Sequence, residues 1–535
     1  MVFLAGSLAA VAAAPARADD AAPIYQPDAI SAIELQMPQS SMEALETEPP
    51  SDEYQPGTFS LALGDGTPEG VGGFSAPIEV GIRLKGGQGS FRPLADGKAG
   101  FKIKFNFVKG QKFLGLKKLT LNNMVQDPSM LHETLAYEVF RSVGLPAPRT
   151  GYAYVRLNGE DYGVYLNLET YDDVSLPHWF ASTRHLYEAD APATDVTPGS
   201  APEFEVDEGD DGDLSDLEAL IAAANSGAGD WSDGMEAVAD LGQMSLMWAV
   251  ERYVGHWDGY AGTDGAFRPN NYYLHSLDTG PEAGRFEMMP WGTDQTWGSR
   301  IEFDEPAGGL LFNECFADSD CQALYGAALG ALPAPVAALE LGRQARCLAE
   351  RLAPWQALED EERREYDAAQ IAEGVEETRD FIAERPGELA EWLGLPAPGA
   401  APERPCALPP DEETGLGAGG AAAPPTAEMI IDRRPRIRLG RIAVEGRTLK
   451  ARVKLPLRGK LRLDAWAGPS VSGPRACSGE SAARAAGWAK VHCQLHEGVL
   501  RRLDSEPVRL TVRAAFRVGP ESGTVVVRHV RLPRR

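Results

Sequence analysis

The stretch whose reading decides the rest is ERYVGHWDGYAGTDGAFRPNNYYLHSLDTGPEAGRFEMMPWGTDQTWG, residues 251–298. Just before and into it, Met244, Met247, Val250 and Val254 recur at helical spacing, so Asp258 follows directly from a helix. Asn271 opens a short strand-like run, Asn-Tyr-Tyr-Leu-His, and a second run, Arg-Phe-Glu-Met-Met, leads to Asp294. A hairpin made from those runs folds their outer ends together, so two carboxylates and one amide can converge on one divalent cation or one phosphate. Asp, Asn and Gly between apolar runs are also ordinary turn residues. The concentration of Trp257, Tyr260, Tyr272, Tyr273, Trp291 and Trp297 around them favours a walled site, although the same rings serve equally well as core.

A chain of 535 residues is too long for one ordinary core, which predicts two or three units. The hydrophobic share of 43% and ten Trp place it among globular proteins. Its first residues, MVFLAGSLAAVAAAPARADD, hold an apolar run too short to span a bilayer and end in a small-x-small pattern, which predicts a secretory leader cut after Ala18. No later segment reads as membrane-spanning. Six cysteines suit an oxidising compartment, and without a CxxC or HxxxH pair they do not read as structural zinc. Three pairings are expected: Cys315 with Cys321 in a small loop, Cys477 with Cys493 between two strands, and Cys347 with Cys406 as the remainder. Charge is divided unevenly: residues 429–535 carry 24 Lys+Arg against 8 Asp+Glu, while the whole chain stands at −27. An acidic body does not favour nucleic acid, whereas the basic tail suits an anionic partner, which could be a polymer, a membrane or the acidic body itself.

Upstream, Pro77–Lys85 alternates and runs into Gly86-Gly87-Gln88-Gly89-Ser90, a glycine-rich turn whose backbone N–H groups can approach phosphates. Glycine-rich hairpins without ligands are commoner. Phe101-Lys102-Ile103-Lys104-Phe105 alternates strictly, sending Lys102 and Lys104 to one face, either to solvate it or to pair with phosphates. Asp127-Pro128-Ser129 is read as starting a helix with Leu131, Leu135 and Val139 on its apolar stripe and Glu133 off it, a lysine's partner or a solvated charge. Thr150–Leu157, Asn158-Gly159 and Gly163–Glu169 read as a hairpin.

The runs RLKGGQGSF (83–91), K(x)3KIKF (98–105), LTLNNMVQDPSMLHETLAYEVFRSVGLPAPR (119–149), LNGEDYGVYLNLE (157–169), WDGY (257–260), NNYYLH (270–275) and PWGTDQTWG (290–298) together resemble the spore-coat protein H (CotH) kinase family in order and spacing, over roughly residues 30 to 350. The resemblance implies an α+β, divergent protein-kinase-like two-lobed fold that takes ATP with Mg²⁺, or Mn²⁺ or Ca²⁺, and phosphorylates secreted proteins. It implies that Gly86, Gly87 and Ser90, with Lys102 or Lys104, attend the nucleotide, and that Glu133 stands where the lysine's glutamate is expected. Asp258 becomes the catalytic-loop acid, and Asn271 and Asp294 the metal holders. One departure stands out: where the family pattern resembles Pro-Trp-Asp-x-Asp, this chain has Pro290-Trp291-Gly292-Thr293-Asp294. Asp264 and Asp278 are the nearby acids that could substitute.

The expected domains are a leader (1–18), a β-rich lobe (19–169), a helical lobe (170–396), an Ala/Pro/Gly linker (397–428) and a basic, sandwich-like all-β domain (429–535). Helices are expected at 214–224, 241–254, 336–352 and 360–384. Within the helical lobe, residues 188–218 hold twelve acidic residues and no basic one, and read as an acidic surface insertion without the spacing of an EF-hand. Three functions follow: a secreted kinase acting on protein substrates at or outside the cell surface; a pseudokinase or surface-assembly and adhesion protein on the same fold; or a metal-dependent hydrolase that needs the acids but not the lysines.

Overall fold

The computed structural model describes residues 19–46, 53–87, 89–95, 97–189, 194–227, 231–262, 269–280, 282–305, 308–399, 404–406, 438–445, 447–455, 459–467, 475–483, 487–505, 508–517 and 523–532. The expected leader, most of the linker and Asp264 lie outside them. Two compact units divide the chain.

The first unit comprises residues up to Met130, Pro148–Ser175 and Leu348–Ile371. Its strands are β1 (Ser31–Gln36), β2 (Gln55–Ala62), β3 (Ile78–Lys85), β4 (Gly100–Lys104), β5 (Lys118–Asn122), β6 (Thr150–Leu157) and β7 (Glu160–Leu168), with helix α1 (Gln39–Leu45) between the first two. They close into a barrel in the order β1-β2-β3-β4-β5-β7-β6, with β1 parallel to β6 and the other pairs antiparallel. Strand alternation puts Val80, Ile82, Phe101, Ile103, Leu119, Leu121 and Val155 in a shared core. The expected hairpin is present: Asn158 (φ 54°) and Gly159 (φ 85°) both take the left-handed backbone of a type I′ turn.

The second unit comprises Leu131–Ala147, Leu176–Cys347 and the residues from Ala372 onward. It contains α2 (His132–Ser142), β8 (His185–Glu188), β9 (Glu205–Glu208), α3 (Ser215–Ala224), α4 (Trp231–Met235), α5 (Leu241–Val254), β10 (Tyr272–Ser276), β11 (Phe286–Pro290), α6 (Leu310–Ala317), α7 (Ser319–Ala331) and α8 (Pro333–Leu339). Helices α9 (Leu341–Gln356) and α10 (Ala368–Leu393) run through the boundaries between the units. The small sheet has the order β11-β10-β8-β9.

Several boundaries differ from the sequence reading. Helix α2 starts at His132 because Asp127 first closes a turn, accepting from Ser129 Oγ at 2.6 Å, and Met130 takes φ 60°. The run expected at 336–352 is two helices, broken where Glu340 takes φ 51°. The helix expected from 360 begins at 368, where Asp367 Oδ1 accepts from the N–H groups of Ala369 and Gln370 and so caps it. Ser319–Leu339 is apolar enough over 21 residues to cross a bilayer by length and composition alone. Here that stretch is divided between α7 and α8, and α7 buries Cys321, Tyr325 and Leu329.

Within the expected acidic surface insertion 188–218, many of the described acids are exposed, Glu203, Glu205, Asp210, Asp211 and Glu218 among them, but the segment is also built into the fold. It contributes β9 and the start of α3, and two of its acids are buried with full sets of donors. Asp216 accepts from Tyr187 OH (2.7 Å), Ser276 Oγ (2.6 Å) and the Leu217 N–H (2.9 Å), and its Oδ2 lies 2.9 Å from His185 Nδ1. Asp195 accepts from Tyr260 OH (2.9 Å) and the N–H groups of Val196 (2.8 Å) and Leu310 (2.7 Å). Donors distant along the chain are what make burial of these carboxylates tolerable.

The basic tail folds as β12 (Arg438–Glu445), β13 (Thr448–Leu455), β14 (Gly459–Ala467), β15 (Arg475–Ala483), β16 (Gly487–Gln494), helix α11 (Glu497–Ser505), β17 (Val508–Arg517) and β18 (Gly523–Leu532). Two antiparallel sheets, β12-β13-β16 and β15-β14-β17-β18, bury Leu449, Val453, Leu461, Leu463, Val491, Leu510 and Val512 in one core. All three expected disulfides are present, Cys315–Cys321, Cys347–Cys406 and Cys477–Cys493, the last joining β15 to β16.

Candidate functional site

Helix α5 sets the site. Asp240 caps it, its Oδ1 accepting from the Gly242 and Gln243 N–H groups at 3.0 and 3.1 Å. Met244, Met247, Trp248, Val250, Tyr253 and Val254 are all buried, so the helix is apolar nearly all round and is fixed in the core. Gly255, at φ 69°, ends it; a side chain there would meet the Ser299 carbonyl 2.3 Å from its Cβ. The turn that follows is tied back by buried Glu251, which accepts from the N–H groups of Tyr260 (3.0 Å) and Ala261 (2.7 Å). His256 and Asp258 are therefore held by the helix end on one side and by its own glutamate on the other.

The hairpin of β10 and β11 delivers the remaining groups. Tyr272 pairs with Pro290 at its open end, and the Trp291 N–H donates to the Asn271 carbonyl at 3.0 Å. Asn271 Nδ2 donates to both the carbonyl and Oδ2 of Asp258, each at 3.0 Å, and Asn270 Nδ2 adds a longer contact of 3.4 Å. Beyond β11, the Gly292 carbonyl lies 3.2 Å from His256 Nε2, and the Asp294 carbonyl lies 2.8 Å from His132 Nδ1. Trp297 Nε1 donates to the His132 carbonyl at 3.1 Å, so α2 fastens the segment that carries Asp294.

His256 is fully buried. Burial alone would depress its pKa, but Glu251 and then the charges of Asp258 and Asp294 outweigh burial and hold it above the ordinary histidine value. Its Nδ1 is 3.6 Å from Glu251 Oε1, an ion-pair distance too long for a good hydrogen bond, which agrees with Nδ1 lacking a hydrogen-bond partner. Asp258 and Asp294 thus both act electrostatically on one ring, and both remain partly exposed, as does Asn271.

The donor types are those a hard divalent cation takes: Asp294 carries a carboxylate, and Asn271, whose Nδ2 is committed to Asp258, has its amide oxygen. Among the described residues there is no cluster of three or more His, Cys, Asp or Glu able to hold a metal by themselves, so any such seat is poor in charge. Asp278 cannot make up the difference, because it is exposed in the turn past Ser276, at the opposite end of the hairpin from Asn271. Of the aromatic residues, Tyr260, Tyr272, Tyr273 and Trp297 are core, while Trp257 and Trp291 are only partly buried beside the acids.

The other residues singled out from sequence are distributed as follows. Lys102 and Lys104 lie in the first unit on the outer face of β4, where Lys102 is opposite Arg83 and Lys104 opposite Lys118, and the Lys104 ammonium sits 5.2 Å above the Tyr54 ring. In the glycine turn, Gly86 takes φ 132° and the Gly87 N–H donates to Ser90 Oγ at 3.0 Å, so that donor is spent within the turn. Glu133 lies in α2, in the second unit, buried, with Tyr137 OH 3.5 Å from its Oε1.

Sequence reasoning passed over His256, Glu251 and His132, although His256 stands two residues before Asp258. It also missed a buried ion pair in the first unit, Lys98 Nζ to Glu359 Oε1 at 2.9 Å, with side chains 1% and 2% exposed. Glu359 Oε1 also accepts from the Val164 N–H at 2.6 Å. A separation of 261 residues left no local signal for that pair.

Comparison with known proteins agrees with the resemblance. "Inner spore coat protein H" of Bacillus subtilis (strain 168) is 25% identical over 217 residues, covering 38% of this chain and 57% of that protein. "Inner spore coat protein H-like protein" of the same organism is 35% identical over 74 residues, covering 14% of this chain and 23% of that protein. The chain thus spans little more than half the length of the first relative and under a quarter of the second. The profile of the family described as "CotH kinase protein" matches residues 82–389, more than half of the chain. This chain belongs to the CotH kinase protein family.

Proposed function

We propose that the protein is a secreted, atypical protein kinase of divergent two-lobed, kinase-like fold, transferring the ATP γ-phosphate to hydroxyl side chains of proteins at or outside the cell surface. The observation that carries this reading is the pair formed by Asp258 and Asn271, two bonds of 3.0 Å at the mouth of the hairpin that also presents Asp294. Both of those bonds leave Asp258 Oδ1 to face a substrate hydroxyl, whose proton the carboxylate orients or accepts. Asn271 and Asp294 are the proposed holders of Mg²⁺, which when bound neutralises charge on the phosphates. Lys104 or Lys102, with Gly86, Gly87 and Ser90, attends the nucleotide. Three disulfides support an oxidising, extracytoplasmic setting, consistent with a leader cut after Ala18. The basic C-terminal domain is proposed to bind an anionic partner.

Gly292, which removes a carboxylate from the family pattern, favours the second reading, a pseudokinase or surface-assembly protein on this scaffold. Radiolabelled ATP offered to the purified chain separates the two. Label on protein that is lost in both Asp258→Ala and Asp294→Ala supports the kinase; nucleotide binding without transfer in the wild type supports the pseudokinase.

A further inference from the structure

The three cystines differ in access to solvent. Cys315 and Cys321 are 1% and 0% exposed, and Cys477 and Cys493 are 1% and 3% exposed, so two of the bonds are closed off. Cys347 and Cys406 are both only partly buried. Exposed disulfides are the ones that exchange with external thiols. Charge separates this bond further. Arg346, beside Cys347 on α9, donates from Nη1 to Cys406 Sγ at 3.1 Å. Its Nη2 donates to the Arg404 carbonyl, while Arg343, one turn earlier, donates from Nε to the Pro405 carbonyl at 3.1 Å and from Nη2 to the Cys406 carbonyl at 3.2 Å. The bonds to three successive carbonyls have a plain structural reading, which is that they dock residues 404–406 on the helix. The contact with sulfur adds little to that docking, because the cystine already joins the two segments. A guanidinium at that distance stabilises the negative charge left on Cys406 Sγ when the bond opens.

We infer that Cys347–Cys406 is a thiol–disulfide exchange site of fixed polarity, opened by attack of an external thiolate on Cys347 Sγ with Cys406 leaving as a thiolate against Arg346. A bond forms between the external sulfur and Cys347 Sγ, the Cys347–Cys406 bond breaks, and its electron pair departs on Cys406 Sγ. A second external thiolate then attacks the first external sulfur and expels Cys347 as a thiolate. The cystine has taken up two electrons, and the external thiol has been oxidised to its own disulfide. Among the described residues, the arginine hydrogen bonds are then what remains to hold residues 404–406 on α9. The inference stands apart from phosphoryl transfer and goes beyond it.

The test exposes the folded, full-length chain to limiting glutathione, quenches with acid, alkylates free thiols and maps them by mass spectrometry. The first adduct is expected on Cys347 with Cys406 as the free thiol, and the other four cysteines should stay oxidised at least about tenfold longer. A dithiol reductant should open the same bond first and leave no lasting adduct. Arg346→Gln, which keeps hydrogen-bonding capacity without charge, should slow opening at least about threefold and spread the adduct over both sulfurs. Arg346→Lys, which keeps the charge, should restore most of the rate. Alkylation of the freed Cys406 should have its pH midpoint below the ordinary thiol value of about 8.5 in the wild type and higher in Arg346→Gln. A purely docking role for Arg346 would move neither the adduct nor that midpoint. Similar opening rates for all three cystines, a first adduct on Cys406, or a rate unchanged in Arg346→Gln would each overturn the inference.

Discussion

The two ends of the β10–β11 hairpin carry the same kinds of side chain and use them differently. At the closed end, Ser276 donates to Asp216, which also holds Tyr187 OH and the Leu217 N–H and lies against His185 Nδ1, and Asp216 is buried. At the open end, Asp258 takes, among the described residues, amide donors from Asn270 and Asn271 and stays partly exposed. A carboxylate whose oxygens are all engaged by neighbours serves the fold. One that is steered from a single side among the described residues is the candidate for the proposed chemistry.

That contrast breaks if the two acids respond alike to removal. Asp258→Ala is expected to cut label transfer by about 10²- to 10⁴-fold, the usual worth of a positioned acid–base group, while costing about 1 kcal/mol or less in denaturant unfolding. Asp216→Ala should do the reverse, costing about 3 kcal/mol of stability because buried donors from Tyr187 and Ser276 lose their acceptor. A folded Asp216→Ala protein of wild-type stability would erase the distinction between the two ends.

His275, in β10 between them, sharpens it through pH. The ring is stacked on Phe180 with centroids 3.6 Å apart, its Nε2 lies 3.0 Å from Thr183 Oγ1, and burial pushes its pKa down to about 3. Below the ordinary value of 6.5 the unfolded chain accepts a proton that the folded chain refuses, so stability declines as pH falls from 6.5 toward about 3. That amounts to about 2 kcal/mol at pH 5, and His275→Gln should flatten the profile by that much when unfolding is measured between pH 7 and 5. The smallest effect is expected upstream of both ends: Asp240→Ala removes the cap of α5 and should cost about 1 kcal/mol, with transfer reduced only in proportion to the folded fraction.

The open end was legible because its signals are local. The apolar period before Val254, the alternation after Asn271 and the run ending at Pro290 each specify an element, and connecting them places Asp258 beside Asn271. The closed end was not legible. An acidic segment reads as solvated until His185, Tyr187 and Ser276 are known to reach Asp216, and those residues lie 29 to 60 positions away. The start of α10 was misread for a related reason: Glu and Arg at helical spacing continue through 360–367, and the cap at Asp367 decides where the helix begins. Strand β15 escaped notice because RACSGESAA lacks a clear apolar alternation; its place comes from pairing with β14 and from the cystine to β16.

The Cys347–Cys406 bond has a practical consequence for handling the protein. Because it closes a 59-residue separation, a nicked chain cut anywhere inside that span stays in one piece until a reductant is added. Gel mobility of a clipped sample with and without thiol would then report where the cut fell, inside the covalent ring or in the stretch beyond Cys406 that leads to the basic sheets.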